Sequence, residues 1–233
     1  MISIIIPTYN EKRNIGILIR DIQSQFKNQT IEIIVVDDNS PDQTYLEVQK
    51  NQEKNINVKL LIRKEEIGLT SALQAGINLA NGEYVAWLDA DMSHPPKILK
   101  KMASKNTNHD VIIASRYIKD AKDLRKEKLQ VILSWIINKT ANLLLYKNVT
   151  DYTSGFIIIK KNIFNNYTLR GDYGEYFINL MSFVCKNNYR VKEEPFVNIS
   201  RKYGDSKTAT NLMGFIKRGK KYIFVIIKNF VLK

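Results

Sequence analysis

The chain has 233 residues and a formal net charge of +13 at pH 7, from 36 basic and 23 acidic residues. Its 44% hydrophobic content is too high for a disordered chain, and its single cysteine excludes a disulfide scaffold. The strong positive charge favours an anionic partner. Nucleic acid, an anionic lipid surface and a phosphorylated substrate are the three candidates.

The first half of the chain alternates strand patterns with helix patterns. Runs rich in Val, Ile and Leu predict strands over 2–7, 32–37, 58–63, 84–89 and 110–115, and their continuous apolar character is typical of strands covered on both faces. Amphipathic stretches predict helices over 14–26, 44–53, 69–81 and 96–104, with Gly82 expected to cap the third of them. This alternation predicts an α/β fold with a doubly wound, mostly parallel sheet and helices on both faces.

The second half is less regular and ends in a basic, apolar segment. It predicts an apolar helix over 131–146, a strand over 156–159, a helix over 174–187 and an extended run over 190–196. No linker rich in Pro, Gly and Ser divides it. We therefore expect one domain over residues 1–207, followed by a basic amphipathic helix in residues 208–233.

The final segment also bears on location. Residues 201–233 hold nine basic residues and one acidic residue, and a basic stretch at 217–221 leads into an apolar run at 222–227. This pattern is typical of a helix that lies on an anionic membrane surface, although simple packing against the core remains an alternative. Because no secretory signal or spanning segment is recognised, we expect a cytoplasmic protein that binds peripherally to the cytoplasmic face of a membrane.

Polar and acidic residues follow four of the predicted strands, at the edge where doubly wound sheets bind ligands. The most informative pair is Asp89 and Asp91, which follow an apolar strand two residues apart. Two such carboxylates can share a Mg²⁺ or Mn²⁺ ion whose other ligands are the oxygens of a nucleotide diphosphate. Aspartates are also common in turns for structural reasons, so the pair alone is a weak signal.

Motifs of polar, acidic and glycine residues lie at 7–11, 35–40, 68–69, 82–84 and 89–96. Together they resemble the family 2 inverting glycosyltransferases, which have the GT-A fold. The similarity is greatest to the subgroup of dolichyl-phosphate mannosyltransferases and polyprenyl-phosphate glycosyltransferases. The motifs that follow this subgroup, in chain order, are 38–42, 89–96, 115–117, 151–156 and the pattern Arg201-x-x-Gly204-x-Ser206-Lys207.

The resemblance implies roles for individual residues. Asp38 would contact the base or ribose of the donor, and the backbone of Ala90 would touch the nucleotide. The implied nucleotide-sugar-binding residues are Pro7, Tyr9, Glu11, Val36, Asp38, Asp89, Ala90, Asp91 and Arg116. The implied metal ligands are Asp89, Asp91 and Ser93. The implied catalytic residues are Asp91, Arg116, Arg201 and Lys207, of which the three cations would face donor or acceptor phosphates.

The resemblance implies transfer of one sugar, foremost mannose from GDP-mannose, to dolichyl or polyprenyl phosphate with inversion and with Mg²⁺ or Mn²⁺ as cofactor. The alternatives are a UDP-glucose or UDP-N-acetylhexosamine donor, a glycan hydroxyl acceptor that would need Asp151 or Glu175 as a base, and a non-catalytic membrane-binding protein. A membrane surface and a small membrane-anchoring subunit are the expected partners. Nucleic acid is not expected, because carboxylates gather at the strand ends.

Overall fold

The computed structural model describes residues 1–53, 57–65, 67–105, 108–201, 203 and 212–233. Its strands are β1 (Ile2–Thr8), β2 (Ile31–Asp37), β3 (Val58–Ile62), β4 (Tyr84–Trp87), β5 (Val111–Ser115), β6 (Lys122–Asp123), β7 (Ile157–Lys160), β8 (Val191–Pro195) and β9 (Val197–Asn198). Its α-helices are α1 (Lys12–Gln25), α2 (Thr44–Gln52), α3 (Leu69–Leu79), α4 (Pro96–Ala103), α5 (Lys128–Leu144), α6 (Glu175–Lys186) and α7 (Leu212–Val231). A short 3-10 helix, Lys161–Asn165, follows β7.

Seven strands form the central sheet in the order β3-β2-β1-β4-β7-β5-β8. All run parallel except β7, which lies antiparallel between β4 and β5. The predicted α/β class with a mostly parallel sheet is therefore confirmed. The strand order reverses between β1 and β4, and such a switch point opens a crevice at the carboxyl ends of the strands.

Helices cover both faces of the sheet. Along β1, Ile4 and Ile6 point into one core cluster with side chains of α1, α2 and α4, while Ile5 points into a second cluster with α3, α5, α6 and α7. This division follows from the two-residue period of a strand, which sends successive side chains to opposite faces. Both faces are apolar because both are buried.

Gly82 has a different role from the one predicted. Helix α3 ends at Leu79, and its C-terminal cap is Ala80 in an extended conformation, so Gly82 does not cap it. A Cβ at Gly82 would lie 2.6 Å from the Oγ and 2.7 Å from the backbone N of Ser3. The position requires glycine because the entry to β4 passes close to the start of β1.

Helix α7 packs against α5 and α6. Ile226 is 1% exposed and belongs to the core, and a Cβ on Gly174 would lie 2.2 Å from the Tyr222 hydroxyl. The outer side of α7 is nevertheless apolar, with Ile223, Phe224 and Ile227 each more than half exposed. Within the described ranges, no helix combines the length and the apolar character needed to cross a bilayer.

Candidate active site

The carboxyl ends of β1, β2, β4 and β5 border a cavity of about 890 Å³. Helix α5, the start of α6 and helix α7 close its other side. The predicted site residues that line it are Pro7, Tyr9, Glu11, Asp38, Asp89, Ala90, Asp91, Ser93, Arg116 and Arg201. Val36 is fully buried in the core and does not line the cavity, and Lys207 lies outside the described residues.

Asp38 is held in place by a buried arginine that the sequence analysis missed. Arg63 donates from Nε and Nη2 to Asp38 Oδ1 at 2.7 and 2.5 Å, and the Gly68 amide donates to Asp38 Oδ2 at 2.8 Å. The third Arg63 nitrogen, Nη1, donates to the Ser71 hydroxyl at 2.8 Å. Arg63 directly follows β3, the neighbour of β2, so its place at the same sheet edge is the signal that could have identified it.

His94 orients the loop that carries the acidic pair. The backbone amide of Asp89 donates to His94 Nδ1 at 3.0 Å, and His94 Nε2 lies 4.0 Å from the Asp89 carboxylate. The imidazole stacks on Phe156 with ring centroids 4.7 Å apart, and Phe196 meets it edge-on. Because two aromatic rings fix the imidazole, the position of Asp89 depends on the core beneath it.

Asp91 is held from both sides. Its Oδ1 accepts a hydrogen bond from the Ser93 amide at 3.0 Å, and its Oδ2 accepts one from Arg201 Nη2 at 3.1 Å. Arg201 Nη1 also lies 3.9 Å from the buried carboxylate of Glu11. A guanidinium therefore lies among the acidic side chains of the cavity.

The electrostatics at this end of the cavity favour a cation. Desolvation by the surrounding protein is the main cause of a raised pKa at Asp89. The nearby side chains His94 and Arg201 lower this pKa, whereas the carboxylates of Asp91 and Glu11 raise it. In the part of the chain that the structure describes, no group of three or more His, Cys, Asp or Glu side chains is arranged around one point as a complete metal cage. Two aspartates fit a hard divalent cation that takes its remaining ligands from a diphosphate and water, which is how Mg²⁺ is commonly bound.

Arg116 is clamped by Asp151, 35 residues away in the chain. Arg116 donates from Nε to Asp151 Oδ2 at 2.8 Å and from Nη2 to Asp151 Oδ1 at 2.7 Å, while Nη1 lies 3.7 Å from Asp123 Oδ2. Asp151 is 0% exposed and Arg116 is 7% exposed. Burial alone lowers the pKa of Arg116, but Asp151 outweighs that effect and raises it.

Glu193 supports the clamp from β8. Its Oε1 accepts hydrogen bonds from the backbone amides of Thr150 and Asp151 at 3.0 and 3.1 Å. The pKa of Glu193 is raised, chiefly by desolvation and partly by the charge of Asp151. Glu193 thereby fixes the backbone at 150–151, which carries the Asp151 side chain that binds Arg116.

Another part of the cavity wall, the apolar end, is formed by α5 and α7. Leu133, Ile136 and Ile137 line it from α5, and Tyr222 and Ile223 line it from α7. The sequence predicts apolar helical segments at 131–146 and 222–227, and the segment 131–146 is expected either to pack in the core or to hold the lipid acceptor as an interfacial helix. Only the packing of α7 against α5 brings the two together.

The chain belongs to glycosyl transferase family 2, whose sequence profile matches residues 3–168. Its fold is similar to that of glucosyl-3-phosphoglycerate synthase from Mycobacterium tuberculosis, with a TM-score of 0.74 and 13% identity over 98% of this chain and 79% of that chain. That protein was crystallised with Mn²⁺, uridine diphosphate and glucosyl-3-phosphoglycerate. The predicted GT-A fold is confirmed by this likeness.

Within the family, the chain is similar to dolichol-phosphate mannosyltransferases. It is 35% identical over 211 residues to the one from Pyrococcus furiosus, which covers 88% of this chain and 58% of the relative. It is 29% identical over 216 residues to the one from Saccharomyces cerevisiae, covering 88% of this chain and 80% of the relative. The chain thus spans somewhat over half the length of the archaeal relative.

Proposed function

We propose that this chain transfers mannose from GDP-mannose to dolichyl or polyprenyl phosphate, with inversion at the sugar carbon and with Mg²⁺ or Mn²⁺ bound. The observation that carries the proposal is one continuous cavity with an acidic end at Asp89 and Asp91 and an apolar end between α5 and α7. Such a cavity suits a charged sugar nucleotide at one end and a lipid at the other. The mannosyltransferase relatives support mannose as the sugar.

The donor end would hold the nucleotide diphosphate and the cation. Asp89 and Asp91 would bind the cation, which when bound offsets the charge of the departing diphosphate. Asp38, fixed by Arg63, would read the base or ribose. The remaining cavity residues of this end, Pro7, Tyr9, Glu11 and Ala90, would enclose the nucleoside.

The acceptor phosphate would act as the nucleophile without help from a base. A phosphate monoester has a second pKa of about 6, so it is largely a dianion at neutral pH. One of its oxygens forms the new bond to the anomeric carbon as the bond from that carbon to the diphosphate oxygen breaks and the electron pair leaves with GDP. Attack on the face opposite the leaving group inverts the configuration. The cations assigned to the phosphates are Arg116, Arg201 and, from the sequence motif alone, Lys207.

A hydroxyl acceptor would need one of two carboxylates, Asp151 or Glu175, as a base, and both accept hydrogen bonds from other parts of the protein. Asp151 is fully buried and both of its oxygens accept from Arg116. Glu175 is 5% exposed and accepts from the Asp172 amide at 3.1 Å in the first turn of α6. These contacts favour a phosphate acceptor over a glycan hydroxyl.

The outer faces of α5 and α7 would bind the membrane that carries the acceptor. Trp135 on α5 is 53% exposed and Phe224 on α7 is 67% exposed. Apolar side chains recur on both helices at spacings of three and four residues, which gives each helix an apolar outer stripe. Together with the basic residues of 201–233, these stripes fit an anionic lipid surface at the cytoplasmic face.

Mass spectrometry of the lipid tests the reaction. The protein is incubated with Mg²⁺ or Mn²⁺, dolichyl phosphate in vesicles, and GDP-mannose, UDP-glucose or UDP-N-acetylglucosamine in parallel. We expect mannosyl lipid from GDP-mannose, and its loss in Asp91→Ala but not in Asp21→Ala, which removes an aspartate of α1 outside the cavity. No glycosylated lipid with any donor would refute the proposed reaction, and a wild-type rate for Asp91→Ala would refute the metal assignment.

Vesicle flotation tests the membrane surface. We expect the double variant Trp135→Ser with Phe224→Ser to bind anionic vesicles several-fold more weakly than the wild type, because two apolar side chains are lost from the lipid-facing stripes. Leu79→Ser, at an exposed leucine of α3, is the matched control and should bind as the wild type does. Equal binding of all three proteins would contradict the assignment. Failure of the wild type to bind lipid would leave a membrane-anchoring subunit as the occupant of this surface.

A further inference from the structure

Two arginines that line the cavity are engaged with neighbouring carboxylates. Arg116 is held by Asp151 in two parallel hydrogen bonds. Arg125 donates to Asp123 from Nε at 2.9 Å and from Nη2 at 2.6 Å. A dianionic phosphate bound between the acidic and the apolar side chains of the cavity is stabilised by each cation that lines it.

Helix α7 contributes a further cation to the lining of the cavity. The guanidinium of Arg218 lies over the ring of Tyr173 at 4.1 Å from the ring centroid, and both residues line the cavity. A cation–π contact of this kind orients a guanidinium. Arg218 lies about one helical turn before Ile223, whose side chain lines the apolar end of the same cavity.

The position of Arg218 is fixed by the docking of α7. Tyr222 follows Arg218 by four residues, so the two share one face of the helix. The Tyr222 hydroxyl packs closely on Gly174. Burial raises the pKa of this hydroxyl, Glu175 raises it further, and Arg218 and Arg116 both lower it. Both arginines therefore act on the same point of the cavity, Arg218 from α7 and Arg116 from the end of β5.

We propose that Arg218 binds the phosphate group of the acceptor lipid. This inference rests on the proposed function and deepens it, because it assigns one residue of the final helix to the acceptor site. The guanidinium donates hydrogen bonds to phosphate oxygens, while the isoprenoid chain follows the apolar side of the cavity between α5 and α7. Helix α7 thus both contacts the lipid surface and contributes to the chemistry of the cavity.

Steady-state kinetics with a water-soluble, short-chain isoprenyl phosphate test this assignment, because a soluble acceptor removes the effect of membrane binding. We expect Arg218→Ala to raise the KM for the isoprenyl phosphate about tenfold or more, as loss of a charge-assisted contact does, and to leave the KM for GDP-mannose unchanged. Arg218→Lys should recover part of the loss. Lys97→Ala removes an exposed cation of α4 outside the cavity and should change neither KM.

Equilibrium binding separates this inference from the proposed reaction. The affinities of the wild type and of Arg218→Ala for the isoprenyl phosphate and for the corresponding neutral alcohol are measured without donor. We expect the wild type to prefer the phosphate and Arg218→Ala to lose most of that preference. An unchanged preference in Arg218→Ala would overturn the role of Arg218 even if transfer occurs. If the wild type transfers no sugar yet shows the expected preference, the inference stands and the reaction fails; if it binds no isoprenyl phosphate, both fail.

Discussion

The Arg116–Asp151 pair makes a strong prediction about stability. In Asp151→Asn the side chain keeps its size and one carbonyl oxygen, but the negative charge is lost. Among the described residues, Arg116, which is 7% exposed, then keeps the more distant Asp123 as its ion-pair partner, 3.7 Å from Nη1. The variant leaves a buried cation without its bidentate partner, which costs far more than the pair itself contributes to stability.

The size of the effect follows from the burial. Removing one partner of a buried ion pair typically costs about 3–5 kcal/mol. We take the lower end, about 3 kcal/mol, because Arg116 borders the cavity and Asp123 is close. For a chain of this length, 1 kcal/mol shifts Tm by roughly 2–4 °C, so Tm should fall by about 6–12 °C.

Scanning calorimetry at neutral pH measures the shift. Asp172→Asn is the matched control, because it makes the same chemical change in an exposed ion pair with Lys221 and should leave Tm unchanged. Adding Arg116→Met to Asp151→Asn removes the uncompensated charge and should restore part of the stability. A fall of less than about 2 °C for Asp151→Asn, or no recovery in the double variant, would refute the reasoning.

The variant Arg201→Ala should bind Mn²⁺ several-fold more tightly than the wild type in the absence of nucleotide, because Asp91 loses a competing cation. Electron paramagnetic resonance measures the affinity for Mn²⁺, and an affinity equal to that of the wild type would contradict this prediction. Gly82→Ala should lower Tm because its Cβ meets backbone, whereas Gly219→Ala, with open space around it, should raise stability by about 0.5–1 kcal/mol. The pKa of the Glu193 carboxyl group is raised in the folded state, so above pH 4.5 the unfolded state binds fewer protons than the folded state. Ionisation of Glu193 therefore destabilises the folded state. Relative to Glu193→Gln, the wild type should therefore lose stability as the pH rises above 4.5; parallel curves in denaturant titrations would contradict this.

Local sequence patterns were sufficient to predict the strands and helices in the first half of the chain. The β-branched runs predict β1 to β5 within about two residues, and the helices between them are similarly close, because each element has its own periodic signal. The parallel order then brings the acidic strand ends to one edge, so the grouping of Asp38, Asp89 and Asp91 could be predicted without a structure. Val36 shows the limit: β2 is buried on both faces, so its alternation does not reveal which side chains face the cavity.

The sequence by itself determined the fold class, the acidic edge and the family resemblance, since these depend on short-range periodicity and on motifs. Only the tertiary structure decided that β7 lies antiparallel between β4 and β5, that Arg63 holds Asp38, and that Asp151 engages Arg116. It also decided that the basic final helix packs on α5 and α6 and brings Arg218 to the cavity. These contacts join residues that are far apart in the chain, and no local pattern encodes which distant partner a buried charge or an apolar helix face will meet.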